Sequence, residues 1–72
     1  MKNKVEYVFD TEPTAYRFLN TVGHWDIPGL VVKFGQSSFH VLIQYTVQKG
    51  DFDTTLSKLD DLSAKEGGVE VS

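Results

Sequence analysis

His24, Asp26 and His40 form a set of side chains with the chemistry to bind a metal or move a proton. A histidine, aspartate and histidine together can ligate zinc or a harder divalent ion, and a histidine held by a carboxylate can act as a general base. Two of the three lie in Gly23-His24-Trp25-Asp26-Ile27-Pro28-Gly29, which also holds the only tryptophan, fenced between glycines. An indole offers a large apolar surface with one polar handle, suited to a ligand or to the lid of a thin core. The elements on either side decide between these uses.

Lys4 to Asp10 alternates Val5, Tyr7 and Phe9 with Lys4, Glu6 and Asp10, the period of a strand with one buried face. Asp10-Thr11-Glu12-Pro13 then supplies two N-cap candidates, an acidic first turn, and a proline where its missing N–H costs nothing. Ala15, Phe18, Leu19 and Val22 follow at helical spacing, and Gly23 offers a left-handed stop. Leu30 to Phe34 reads as a second strand, Gly35-Gln36-Ser37-Ser38 as a hairpin turn, and Phe39 to Val47 as the longest strand. A break at Gln48-Lys49-Gly50 precedes a second helix capped by Asp51 or Asp53, with Phe52, Leu56, Leu59 and Leu62 or Ala64 as its apolar stripe. Gly67-Gly68 ends it, and Val69-Glu70-Val71 is a short final strand.

The order strand, helix, strand, strand, helix, strand predicts an α+β fold, a ferredoxin-like plait (βαββαβ) over the single domain 1–72. Such a plait has a four-stranded antiparallel sheet with two helices on one face, its strands ordered fourth, first, third, second. Val5, Tyr7, Phe9, Leu30, Val32, Phe34, Val41, Ile43, Tyr45, Val69 and Val71 are then expected under the helices. Lys4, Glu6, Val8, Val31, Lys33, His40, Leu42, Gln44, Thr46 and Glu70 are expected on the open face.

This architecture separates the two histidines. His40 starts the third strand beside the hairpin, whereas His24 belongs to the connection at the other end of the second strand, roughly 15 Å away. They are not expected to share an ion, and no metal, cofactor or catalytic residue is assigned. Trp25 and Ile27 are expected to fold over the open end of the core, leaving His24 and Asp26 in water.

Composition narrows the function classes further. With no cysteines among 72 residues, disulfides, thiolate nucleophiles and cysteine metal sites are excluded. A secreted chain of this size would ordinarily need such staples, so a cytoplasmic location is expected. The start, Met1-Lys2-Asn3-Lys4-Val5-Glu6, does not read as a signal peptide, and no run approaches the roughly 20 apolar residues of a membrane span. A net charge of -3 gives no attraction to phosphate backbones or anionic lipid. RNA-binding domains of this shape stack bases on aromatics of the open face. Here the strand aromatics are placed on the helix side, so neither nucleic acid nor membrane is expected as a partner.

Three likenesses bear on function. Asp10, a carboxylate where the first strand ends, resembles the position of the metal-holding aspartates in small CRISPR-associated nucleases and their toxin–antitoxin relatives, implying a metal-dependent nuclease-like dimer. The length and predicted fold resemble regulatory ACT-type domains, which pair through sheet edges and sense small molecules. Gly67-Gly68 resembles the conjugated tail of ubiquitin-like proteins, but a helix stop before a final strand accounts for it.

The open face remains the main candidate. Val8, Val31 and Leu42 form its apolar centre, rimmed by Lys33, His40 and Gln44 among others, a composition suited to protein contact. The expected function is a non-enzymatic binding or regulatory module, contacting a protein partner or a second copy of itself through Val8, Val31, Lys33, His40, Leu42 and Gln44. Trp25 is a second anchor.

Overall fold

A computed structural model describes residues 2–47 and 54–71. Strand β1 (Lys2–Val8) leads to helix α1 (Glu12–Gly23), then β2 (Val31–Phe34), β3 (His40–Thr46), helix α2 (Thr55–Lys65) and β4 (Val69–Glu70). The strands form one sheet, all pairs antiparallel, in the order β2-β3-β1-β4. Val5, Tyr7, Phe9, Val41, Ile43 and Tyr45 from one face of β1 and β3 bury against Ala15, Phe18 and Val22 of α1 and Leu59 of α2. The two helices therefore share one face of the sheet, and α+β describes the chain.

The centre of this core is aromatic. The Phe18 ring meets Tyr7 edge-on with centroids 5.5 Å apart and lies tilted 4.9 Å from Phe9. These contacts join α1 to the end of β1, and ring pairs of this kind add about 0.5–1.5 kcal/mol each beyond their burial. Arg17 Nη1 and Glu66 Oε1, 3.2 Å apart, link the outer sides of the two helices.

The helix ends choose between the N-cap candidates, bear out the Gly67-Gly68 stop and correct the stop at Gly23. Thr11, not Asp10, caps α1: its hydroxyl accepts from the Thr14 N–H at 3.3 Å, and Asp10 is exposed. Gly23 is the last residue of α1 and has no positive φ. The helix closes instead at His24, whose Nδ1–H donates to the Asn20 carbonyl at 2.6 Å, while the Trp25 N–H donates to Val22. Gly67, with φ 80°, supplies the left-handed stop of α2. There Gly68 N–H bonds Ser63 O and Gly67 N–H bonds Ala64 O, the paired closure of a Schellman motif. The buried stripe of α2 is Thr55, Leu59 and Ser63, with Leu62 beside it, whereas Leu56 and Ala64 are exposed. The expected break at Gln48-Lys49-Gly50, the Asp51 or Asp53 cap and Phe52 lie outside the described residues.

The largest correction concerns β4. Val69 pairs with Val8, and Glu70 with Tyr7. Residues facing each other across an antiparallel pair share a side of the sheet, so Val69 lies on the open face and Glu70 on the helix side, the reverse of expectation. The cause lies one residue earlier. The Phe9 ring occupies the space over Gly68, where a Cβ would come within 2.5 Å of Phe9 Cε2. Gly68 thus takes the helix-side position, and strand alternation sends Val69 outward. Val71, whose N–H donates to Glu6 O at 2.9 Å, continues the pairing and is also exposed. Phe34, expected under the helices, is 42% exposed: β2 is the outermost strand of the sheet and only β3 flanks it.

Candidate functional site

The register assembles the open face in rows. Val69, Val8 and His40 form one row, Glu6, Leu42 and Lys33 the next, and Lys4, Gln44 and Val31 a third. All six open-face residues expected to make contact are thus neighbours on one surface. Val8, His40, Leu42 and Gln44 are half-buried, and Val31 and Lys33 are exposed. Val69, 62% exposed, and Val71 add two aliphatic side chains that the sequence reading had placed elsewhere. The result is an apolar band running diagonally across the sheet, with cationic Lys33 on one side of it and cationic Lys4 on the other.

Glu6 alters the character of this face. Expected at a solvated rim, it is only 8% exposed. Its side chain reaches from β1 across β3 to the hairpin, where Oε2 accepts from the Gln36 N–H at 3.2 Å. Gly35 leaves the room it needs. Alternation along β1 identifies the face on which Glu6 sits, but not that a carboxylate there would be met by the hairpin of another strand. The one sequence signal is Gly35 itself, a residue without a side chain at the base of the turn.

At the hairpin the Ser37 hydroxyl accepts from the Phe39 N–H at 3.1 Å and lies 2.8 Å from His40 Nδ1. Since the carboxylate of Glu12 accepts from the Ser38 hydroxyl, the turn is also tied to the start of α1. Both serines thus serve the turn.

The stretch around Trp25 lies at the opposite end of β3. Thr46 N–H donates to Pro28 O at 2.9 Å, and the Thr46 side chain fills the space beside Gly29, whose φ of 68° favours glycine. His24 and His40 are therefore at opposite ends of the seven-residue β3, about 20 Å apart along the strand. Among the described residues no group of three or more histidine, aspartate or glutamate side chains could hold a metal ion. Trp25 and Ile27 are half-buried and pack against the core, while His24 and Asp26 are exposed. Trp25, Asp26 and Ile27 also line a shallow cleft of about 390 Å³ with Lys58 of α2. An indole, a carboxylate and an ammonium around one hollow can meet a small polar molecule. The sequence reading missed Lys58 because only the packing of α2 brings it to this loop.

No helix among the described residues is long and apolar enough to cross a membrane. Comparison of the chain with protein-family models, with curated proteins and with solved structures finds no match.

Proposed function

We propose that the chain is a small non-enzymatic binding or regulatory module, built as a ferredoxin-like plait and working in the cytoplasm, that acts by protein contact through its open sheet face. The observation that carries this reading is the band formed by Val8, Val31 and Leu42 with the outward-turned Val69 and Val71. Aliphatic side chains that gain nothing from the core are a stability-neutral expense on a solvated face, and a desolvated contact gives them a use. Lys4, Lys33 and His40 at the margins provide the polar rim that such contacts have. Nucleic acid is a poor partner for this surface, since Tyr7, Phe9 and Tyr45 face the core and the net charge is -3.

The test is Leu42→Asp, which places a carboxylate at the centre of the band. Partner capture on immobilised protein, together with mass by light scattering, should show association for the wild type and its loss in the variant, with unchanged circular dichroism. A wild-type protein that stays monomeric and retains no partner would overturn the reading.

A second reading, small-molecule sensing, is favoured by the cleft of Trp25, Asp26, Ile27 and Lys58. Trp25 emission titrated with amino acids and nucleotides tests it directly. A saturable change that Lys58→Ala removes supports the reading, and a flat response to every compound eliminates it.

A further inference from the structure

Among the described residues, no strand pairs with the outer edge of β2, the last strand on that side of the sheet, so the hydrogen-bonding groups of that edge are used by no neighbouring strand. Gly35 N–H donates to His40 O at 2.9 Å, and the ladder alternates from that pair. Lys33 and Val31, which face Leu42 and Gln44, therefore turn their N–H and C=O groups toward β3. Those of Val32 and Phe34 point away from it, out of the sheet. The edge is lightly guarded: its register is continuous, it has no proline, and Lys33 is its single charge. Apolar surface accompanies it. Phe34 is exposed on the helix side of the edge, and Tyr16 of α1 is 60% exposed. Tyr16 follows Glu12 by one turn, and Glu12 touches Ser38 in the hairpin, so Tyr16 lies on the flank of α1 toward β2 rather than toward the Arg17–Glu66 pair.

We propose that this edge pairs antiparallel with β2 of a second copy of the chain, across a two-fold axis through Val32. Facing residues of an antiparallel pair point to the same side of the sheet, so the axis passes through a residue rather than between two. An axis that uses the whole four-residue strand passes through Val32 or Lys33. At Lys33 it would set two ammonium groups directly opposite, a repulsive pair. At Val32 it joins Val32 to its copy by reciprocal hydrogen bonds and sets each Lys33 against a Val31. Each Phe34 then covers a Leu30 on the helix side, where the half-buried Leu30 and exposed Phe34 both gain burial. The inference rests on the contact reading only in that self-association is one of its forms, and the open face has no part in it.

Light scattering and amide exchange between about 10 µM and about 1 mM test the pairing. The mass should double with concentration, and the Val32 and Phe34 amides should gain protection that the Val31 and Lys33 amides, already bonded to β3, do not. Val31→Glu sets a carboxylate opposite Lys33 twice over and should lower the dimer Kd about fivefold. Contact through the open face predicts the opposite sign, because a charge then replaces part of the apolar band. Val32→Pro removes the outward N–H while leaving the β3 ladder intact, and should give a folded monomer. A monomer at about 1 mM, a dimer whose Val32 and Phe34 amides exchange as in the monomer, or a Val31→Glu that weakens association would overturn the pairing. Each of those results leaves the open-face reading to be decided by Leu42→Asp.

Discussion

The carboxylate of Glu6 stands where a side chain on Gly35 would be: a Cβ there would lie 2.5 Å from Glu6 Oε2. Gly35 has no positive φ, so its backbone accepts alanine and would even gain from it in chain entropy. The obstacle is the carboxylate, which must give up the Gln36 N–H. Gly35→Ala should therefore cost about 1 kcal/mol in urea melts, whereas the same change in a Glu6→Ala background should be neutral or slightly stabilising. Equal costs in the two backgrounds would mean that the carboxylate does not depend on Gly35.

Tyr7 supplies a pH-dependent stability. It is 1% exposed and donates its hydroxyl to Asp60 Oδ1 at 2.5 Å. Burial foremost, and then the Asp60 carboxylate, push its ionisation well above the ordinary tyrosine range. The folded chain thus keeps this proton where the unfolded chain has lost it. The stabilisation is fully present below about pH 10 and declines above it, by about 1.4 kcal/mol per pH unit from this group. Tyr7→Phe should be about 1 kcal/mol less stable at pH 7 through the missing hydrogen bond, and should lack this share of the alkaline decline. Parallel slopes for the two proteins between pH 9 and pH 11 would contradict this account.

Much of the architecture is written in local patterns. The period-two runs around Val5, Tyr7 and Phe9 and around Val41, Ile43 and Tyr45 identify the buried side of the two central strands, and Ala15, Phe18 and Val22 identify that of α1. Those signals suffice for an α+β chain with an antiparallel four-stranded sheet. What local pattern does not hold is where one element meets another. Val69 points outward because the Phe9 ring claims the space over Gly68, and Glu6 is buried because a hairpin thirty residues away reaches it. Lys58 joins Trp25 at the cleft only through the packing of α2. The residues of the open face were legible because they needed strand parity alone, whereas the cleft and the Glu6 contact depend on the tertiary fold.

Two glycines at helix ends should respond oppositely to alanine. Gly67 has φ 80°, and although nothing stands within 4 Å of a Cβ there, an alanine must hold the left-handed region at a cost of about 1–2 kcal/mol. Gly23 is equally open, has no positive φ and sits inside the last turn of α1, so alanine should stabilise by about 0.5–1 kcal/mol. Thermal melts of the two variants resolve both signs. A stabilising Gly67→Ala would remove the left-handed closure of α2.

Phe18 tests how thin the core is. Its ring is fully buried and is the only side chain to make ring contacts with both Tyr7 and Phe9 among the described residues. A chain of 72 residues has about 4–11 kcal/mol of stability at the usual 0.05–0.15 kcal/mol per residue. Phe18→Ala removes about 3–5 kcal/mol, because the lost transfer energy is joined by a cavity that strands and helix cannot close. The variant should therefore melt well below the wild type, and should lose its cooperative unfolding transition where the fold's stability lies at the lower end of that range. Phe18→Leu keeps most of the volume and forfeits mainly the ring contacts, so it should stay cooperative with a loss of about 1–2 kcal/mol. The contrast between the two measures what the aromatic contacts add to simple filling of space. An alanine variant that loses less than about 1 kcal/mol would place the stability of the fold outside this cluster.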